Sequence, residues 1–342
     1  EKGKTLKNKP VWGISTDKEG QVWVGSENEV AIFKDYQLTK TLNITPFLSR
    51  PYGQVFSLRS DQKQTFLLGI YDDGLLKLNT KTNRIERIPL GMDNIDIEAA
   101  TEHGIRVQNV PDGNFTSVAE HVMMSVLAAS RNLVQADHEV RKGNWKFRET
   151  NIPNEVANKN LLIVGLGRIG RDVARKAQAF DMNILSYDPF VSAEQMNAIG
   201  VKKFDTLEDG LKEADFVTIQ LHLTPETKGM MNAERFKIMK DTAVLINLSR
   251  GPVINQKDLY EALKNHDIAF AALDVFEKEP PADDEPLFTL PNIIVTPHFG
   301  GDTYEAKQRI STKAAENMIL ALDGKDTYNW ANRKAMEASE KQ

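Results

Sequence analysis

Residues 161–180, LLIVGLGRIGRDVARKAQAF, followed by SYDPF at 186–190, decide the fold. Four apolar residues in succession, with no alternation, read as a strand buried on both faces. Gly165, Gly167 and Gly170 follow it directly, and a helical pattern opens at Arg168. In that context the first glycine permits a tight turn, the second lets a pyrophosphate approach the backbone, and the third lets helix and strand pack closely. The helix N-terminus adds amide donors and the positive end of its dipole. Asp188 ends the next apolar run, 21 residues beyond Gly167. A carboxylate there accepts hydrogen bonds from ribose hydroxyls and repels a 2′-phosphate, so NAD is expected rather than NADP. Gly165, Gly167, Arg168, Ile169, Gly170 and Asp188 are the residues expected around it.

Outward from this stretch the pattern repeats. Short apolar runs lie at 183–188 (NILSYD), 215–221 (DFVTIQL), 243–249 (AVLINLS), 268–275 (IAFAALDV) and 292–298 (NIIVTPH). Amphipathic runs separate them, among them TLEDGLKEA at 206–214 and QKDLYEALKNH at 256–266. Buried strands alternating with helices give an α/β fold, a doubly wound parallel Rossmann sheet of six strands. Ligands of such sheets bind at the C-terminal strand ends, which places Thr224 to Thr227 and Asn247 to Arg250 at the expected crevice.

Composition narrows the chemistry. The chain has 342 residues, 41% apolar and 27% charged, with net charge -5. That balance suits a soluble protein with a small-molecule partner and argues against nucleic acid or an anionic membrane surface. With no cysteine there is no disulfide framework or thiolate metal site, and no metal is expected. No apolar run reaches the length of a membrane span. The chain begins EKGKTLKNKP, with neither an initiator Met nor an apolar signal core, from which a trimmed start is expected.

The first ninety residues have another texture. VWGISTDKEGQVWVG from Val11 aligns with VFSLRSDQKQTFLLG from Val55, a period of 44 residues that matches Asp17 to Asp61 and Gly25 to Gly69. Short strands repeating near that length are the mark of propeller blades. Residues 9–88 resemble the two-component regulator propeller repeats of bacterial sensor proteins, and two such blades do not close a propeller. An ordinary β-meander is the alternative.

Of six histidines, His298 in TPHFGG ends the last strand beside glycines and is the best candidate for proton transfer. His103, His121, His138 and His266 read as structural or solvated, while His222 sits at a strand end beside the crevice. From Gly91 to about Asn332 the chain resembles the D-isomer-specific 2-hydroxyacid dehydrogenase family. The likeness rests on DNIDIEAA, SVAEHVM, VGLGRIG, LTPETKGMMN, INLSRGPVINQKDL, AALDVFEKEPP and TPHFGG. It implies hydride transfer between NAD and a small D-2-hydroxy acid or 2-keto acid, one like 3-phosphoglycerate included. Arg250 is then the substrate-binding and electrostatic residue, Glu279 the partner of the histidine, and His298 the acid/base. Asp274 would face the nicotinamide carboxamide, and Leu90 and Gly91 would help clamp the substrate carboxylate. Thr224 joins the cofactor residues.

The resemblance also implies a homodimer through the Rossmann domain and a cytoplasmic enzyme, whereas the propeller likeness implies an exported sensor. The expected domains are a β-rich segment at 1–90, a substrate-domain remnant at 91–115 and 301–342, and the NAD-binding Rossmann domain at 116–300. The family's usual N-terminal substrate lobe has no counterpart before Gly91, so slow turnover is expected. Gln220 and His222 stand where relatives commonly have His and Pro, and NKN at Asn158 replaces the usual Gly-Lys-Thr. Two other readings stay open: a hybrid or truncated chain that binds NAD and dimerises without turnover, and a sensor-type propeller fusion.

Overall fold

The computed structural model describes residues 11, 13–44, 46, 55–60, 65–70, 74–79, 85–88, 96–105, 107–322, 325 and 329–339. The chain divides into two compact units, residues 1–109 with 316–342, and residues 110–315.

The first unit holds two antiparallel four-stranded sheets, each with its strands in chain order. One contains β1 (Gly13–Thr16), β2 (Val22–Gly25), β3 (Glu29–Lys34) and β4 (Gln37–Asn43); the other contains β5 (Val55–Ser60), β6 (Thr65–Ile70), β7 (Gly74–Asn79) and β8 (Ile85–Ile88). Each sheet spans one copy of the sequence repeat. Asp17 shapes the β1–β2 turn: its carboxylate accepts the amides of Glu19 and Gln21 and the indole N–H of Trp23. The equivalent Asp61 lies outside the described residues. A Cβ on Gly25 would stand 2.5 Å from the Val55 carbonyl, so only glycine allows the first sheet to approach β5 this closely.

The same unit contains α1 (Ile97–Glu102) and the last helix of the chain, Arg333–Ser339. Asn332, buried beneath them, joins the two segments. Its Oδ1 accepts from the Val107 amide at 3.0 Å, and its Nδ2 donates to the Ile105 carbonyl at 2.9 Å.

The second unit is a seven-stranded parallel sheet flanked by helices. Its strands are β9 (Asn160–Val164), β10 (Asn183–Tyr187), β11 (Lys202–Lys203), β12 (Phe216–Ile219), β13 (Val244–Asn247), β14 (Phe270–Leu273) and β15 (Ile293–Val295). Their order is β11-β10-β9-β12-β13-β14-β15. Six of them coincide with the apolar runs; β11, only two lysines long, has no apolar signature. The helices are α2 (Phe115–Ser130), α3 (Leu133–Arg141), α4 (Phe147–Thr150), α5 (Arg168–Gln178), α6 (Ala193–Asn197), α7 (Leu207–Glu213), α8 (Ala233–Ile238) and α9 (Gln256–Lys264), and α10 (Tyr304–Leu322) begins in this unit.

The predominantly apolar character of the central strands follows from burial on both faces. Along β9, Leu162 and Val164 enter one core with Leu211, Phe236 and Leu259 from α7, α8 and α9. Leu161 and Ile163 enter the opposite core with Val122 and Val126 from α2 and Val173 and Ala177 from α5. Full burial of such a side chain contributes about 1.5–3 kcal/mol, so each strand is fixed from both sides.

Residues 110–115 and 301–315, read from the sequence as part of a substrate-domain remnant, group with this compact unit. Arg309 Nε donates to the Gly113 carbonyl at 3.0 Å, and the Ser117 and Thr303 hydroxyls are 2.8 Å apart. The division between the two compact units falls after Asn109.

Candidate active site

The chain reverses its direction of travel across the sheet between β9 and β12, the switch point at whose C-terminal strand ends ligands of such sheets bind. Gly165 has φ +97°, and a Cβ on it would lie 2.6 Å from the Gln220 carbonyl at the end of β12. A Cβ on Gly170 would lie 2.3 Å from the Gly165 carbonyl. At Gly167 nothing lies within 4 Å of that position. Two glycines are thus demanded by the protein's own backbone, while the middle one faces open space. Gly167 caps α5 with no side-chain bond, which leaves the first amides of the helix for an anion. This cradle fits a dinucleotide pyrophosphate. Arg168 is exposed at the first turn of the helix, and Ile169 packs partly into the core.

Asp188 follows β10 on the other side of the glycine loop. Its Oδ2 accepts the Leu166 amide at 2.8 Å and its Oδ1 accepts the Phe190 amide at 2.9 Å, so the carboxylate is tied to the loop it flanks. Thr224 is exposed beyond β12 in a turn closed by Thr227, whose hydroxyl donates to the His222 carbonyl at 2.7 Å.

Further along the same edge, the loops after β13, β14 and β15 bring Arg250, Glu279 and His298 together. Gly251 is the device: a Cβ there would be 1.9 Å from the backbone C and O of Phe276, so the Arg250 loop lies directly on the loop leading to Glu279. Asn247 Nδ2 donates to the Arg250 carbonyl at 3.0 Å, and Arg250 Nη1 donates to the Ser249 carbonyl at 2.8 Å. His298 Nδ1 is 2.6 Å from Glu279 Oε2, while Glu279 Oε1 accepts the Phe276 amide at 3.0 Å. The side chains of His298 and Glu279 are 50% and 35% exposed, so a ligand reaches both.

The electrostatics follow from this geometry. Glu279's bond and charge, helped by the charge of Asp274, hold the His298 imidazole above its ordinary pKa, against burial and the positive charge of Arg250. Burial pushes the Glu279 carboxyl up, but the bonds from His298 and the Phe276 amide, with the charges of His298 and Arg250, outweigh it and leave the group below its ordinary value. The raised histidine contributes stability that is complete below its unfolded pKa and lost as pH rises through its folded one. The depressed carboxyl contributes stability that is complete above its unfolded pKa and lost as pH falls through its folded one. The pair is therefore strongest between Glu279's lowered value and His298's raised value.

Asp274 is 2% exposed. Its carboxylate accepts the amides of Phe299 at 3.1 Å and Gly300 at 2.9 Å and the Thr296 hydroxyl at 2.5 Å, so it grips the chain on both sides of His298. This support is absent from the sequence reading, which linked Asp274 only to the cofactor. Gly251 was missed too, although its place directly after Arg250 was the available signal. Leu90 and Gly91 lie outside the described residues. Among the described residues no group of three or more His, Asp or Glu side chains is gathered for a metal ion, and no helix is long and apolar enough to cross a membrane.

Residues 123–300 match the family described as "D-isomer specific 2-hydroxyacid dehydrogenase, NAD binding domain". The chain is 45% identical over 252 residues to the D-3-phosphoglycerate dehydrogenase of Methanocaldococcus jannaschii, a match covering 74% of this chain and 48% of that protein. It is 40% identical to the glyoxylate reductase of Pyrococcus furiosus, covering 72% of this chain and 75% of that one. The structure of D-lactate dehydrogenase with NAD+ from Lactobacillus jensenii superposes with a TM-score of 0.64 at 28% identity, covering 71% of this chain and 76% of that one. The chain thus spans about half the length of the phosphoglycerate dehydrogenase relative. With a glycine cradle at the β9–β12 switch point and the family match running through the loops that carry Arg250, Glu279 and His298, this chain belongs to the D-isomer specific 2-hydroxyacid dehydrogenases and carries their NAD-binding domain.

Proposed function

We propose that this chain interconverts a small D-2-hydroxy acid and the corresponding 2-keto acid with NAD, with Arg250, Glu279 and His298 as its working groups. The observation that carries the reading is the 2.6 Å Glu279–His298 pair standing in the field of Arg250 at the C-terminal edge of the sheet. NAD, when bound, accepts or supplies the hydride, and Gly165, Gly167, Arg168, Ile169, Gly170, Asp188, Thr224 and Asp274 are proposed to surround it. The guanidinium of Arg250 suits a substrate carboxylate, since its paired donors match the two oxygens. Because Nδ1 of His298 is engaged by Glu279, Nε2 is the ring atom for proton exchange with the substrate oxygen. In oxidation it takes the hydroxyl proton as hydride leaves the carbon; in reduction it returns a proton to the carbonyl oxygen.

The sign of the pH dependence follows. Reduction needs the imidazolium, so its kcat/KM falls as pH rises through His298's raised pKa, while oxidation rises over the same interval. Glu279→Gln removes the main cause of the raised value and moves both inflections down toward about 6.5. pH–rate profiles in the two directions measure this, and inflections left unmoved in the variant would assign the titration to another group.

The substrate is proposed to be a 2-keto acid of the size of glyoxylate, hydroxypyruvate or phosphohydroxypyruvate. The family match leaves about a quarter of the glyoxylate reductase without a counterpart. Substrate positioning supplies about 7–11 kcal/mol of an enzyme's barrier reduction, so turnover is expected below the usual range of about 1–10³ per second. The experiment is NADH consumption with those acids and pyruvate at high protein concentration. Slow oxidation dependent on a keto acid supports the proposal, whereas NADH binding with no oxidation favours a chain that binds NAD without turnover.

The reading extends to a homodimer formed through the Rossmann unit, where Leu133, Val134, Val140, Trp145 and Ile152 are exposed apolar side chains on one stretch of chain. The two N-terminal meanders, one per sequence repeat, are read as propeller-like blades.

A further inference from the structure

His121 lies on α2 and takes no part in the chemistry above. Its Nε2 is 3.4 Å from the Thr296 hydroxyl, and its ring meets Phe299 edge-on with centroids 5.2 Å apart. Thr296 and Phe299 bracket His298. The hydroxyl of Thr296 has one proton, and it donates that proton to Asp274 Oδ1 at 2.5 Å. Towards His121, Thr296 is therefore an acceptor, which makes Nε2 of His121 the protonated nitrogen. Hydrogen bonds then run in one direction, from His121 to Thr296 to Asp274, and Asp274 receives the Phe299 and Gly300 amides as well. His298 itself sits at φ +53°, a left-handed conformation that a non-glycine residue keeps only when its surroundings enforce it. A Cβ on Gly300 would lie 2.9 Å from Asp274 Oδ2 and 3.5 Å from the His121 ring, so the turn is closed against both groups.

We propose that His121 is a positioning residue: as a neutral donor it orients Thr296 and Asp274, and through them holds His298 in line with Glu279. Burial keeps the His121 imidazole below its ordinary pKa against the charge of Asp274, the charged group that faces it. The charged groups facing His298 are Glu279, Asp274 and Arg250. The inference rests on His298 being the proton-transfer group, but its main readout is the titration of that ring, which does not depend on turnover.

The test uses the full chain with isotope-labelled histidine. In the native protein at pH 7, the nitrogen spectrum of His121 should show a neutral ring protonated at Nε2; a charged ring or an Nδ1–H ring overturns the proposal without any substitution. Thr296→Val and His121→Phe should each lower the titration midpoint of His298 by about 0.5, because the bond to Glu279 that raises it is no longer held in line. NADH affinity should fall by less than the rate, because the glycine cradle is untouched and only Asp274 among the cofactor residues is affected, and keto-acid reduction should fall about 10-fold or more. His121→Gln keeps a side-chain donor and should restore most of the midpoint. An unmoved His298 midpoint in Thr296→Val and His121→Phe, with NADH binding intact, overturns the proposal. A failure of the catalytic reading instead appears as unchanged turnover in His298→Ala, whatever His121 does.

Discussion

His298→Ala is expected to lower keto-acid reduction by about 10²- to 10⁴-fold, the usual contribution of a positioned general acid or base, while leaving NADH binding unchanged. The imidazole is 2.6 Å from Glu279 and half exposed, so its removal deletes the proton donor without opening a buried cavity. Nothing in the glycine cradle depends on it. Steady-state rates at saturating NADH, with a parallel binding titration, separate the two effects. Unchanged turnover would move the role elsewhere, with His222 next to be replaced.

Gly251→Ala is expected to damage both stability and turnover. The added Cβ would stand 1.9 Å from backbone atoms of Phe276, and a backbone cannot swing aside as the end of a flexible side chain can. The loop leading to Glu279 must shift, or the Arg250 loop must lift away. Overpacking of this kind costs about 1–3 kcal/mol. For a unit of this size each kcal/mol lowers the melting temperature by about 2–4 °C. A displacement of about 1 Å between Arg250 and the histidine pair costs on the order of 10²-fold in rate. Calorimetric melting and NADH consumption measure the two losses, and native values for both would show that the loops do not meet as described.

The parts of this architecture that could be read in advance share a physical property. β9 and β12 to β14 are buried along most of their length, so their residues are mainly apolar, and Gly165 and Gly170 follow from steric demands that no other residue meets. β11 consists of Lys202 and Lys203 and leaves no such trace. The Glu279–His298 pair came from family likeness, because the residue types alone do not say that two loops 19 positions apart will meet. The support around Asp274 was illegible for the same reason: His121, Asp274 and Thr296 come from three separate elements, and only the packing of α2 on the sheet brings them together. His121 read as structural or solvated, and it is half-buried against Thr296 and Phe299. Residues 110–115 and 301–315, which family likeness places with a substrate lobe, group with the Rossmann unit, and Arg309 bonds to the Gly113 carbonyl.

The central claim is that residues 110–315 form an NAD site beside a 2-hydroxy acid centre, and calorimetric titration of the full chain with NADH and with NADPH tests it most directly. The account predicts NADH binding at least about 10-fold tighter than NADPH, since the Asp188 carboxylate beside the glycine loop accepts from ribose hydroxyls and repels a 2′-phosphate. Equal or tighter binding of NADPH, or no binding of either, would contradict it.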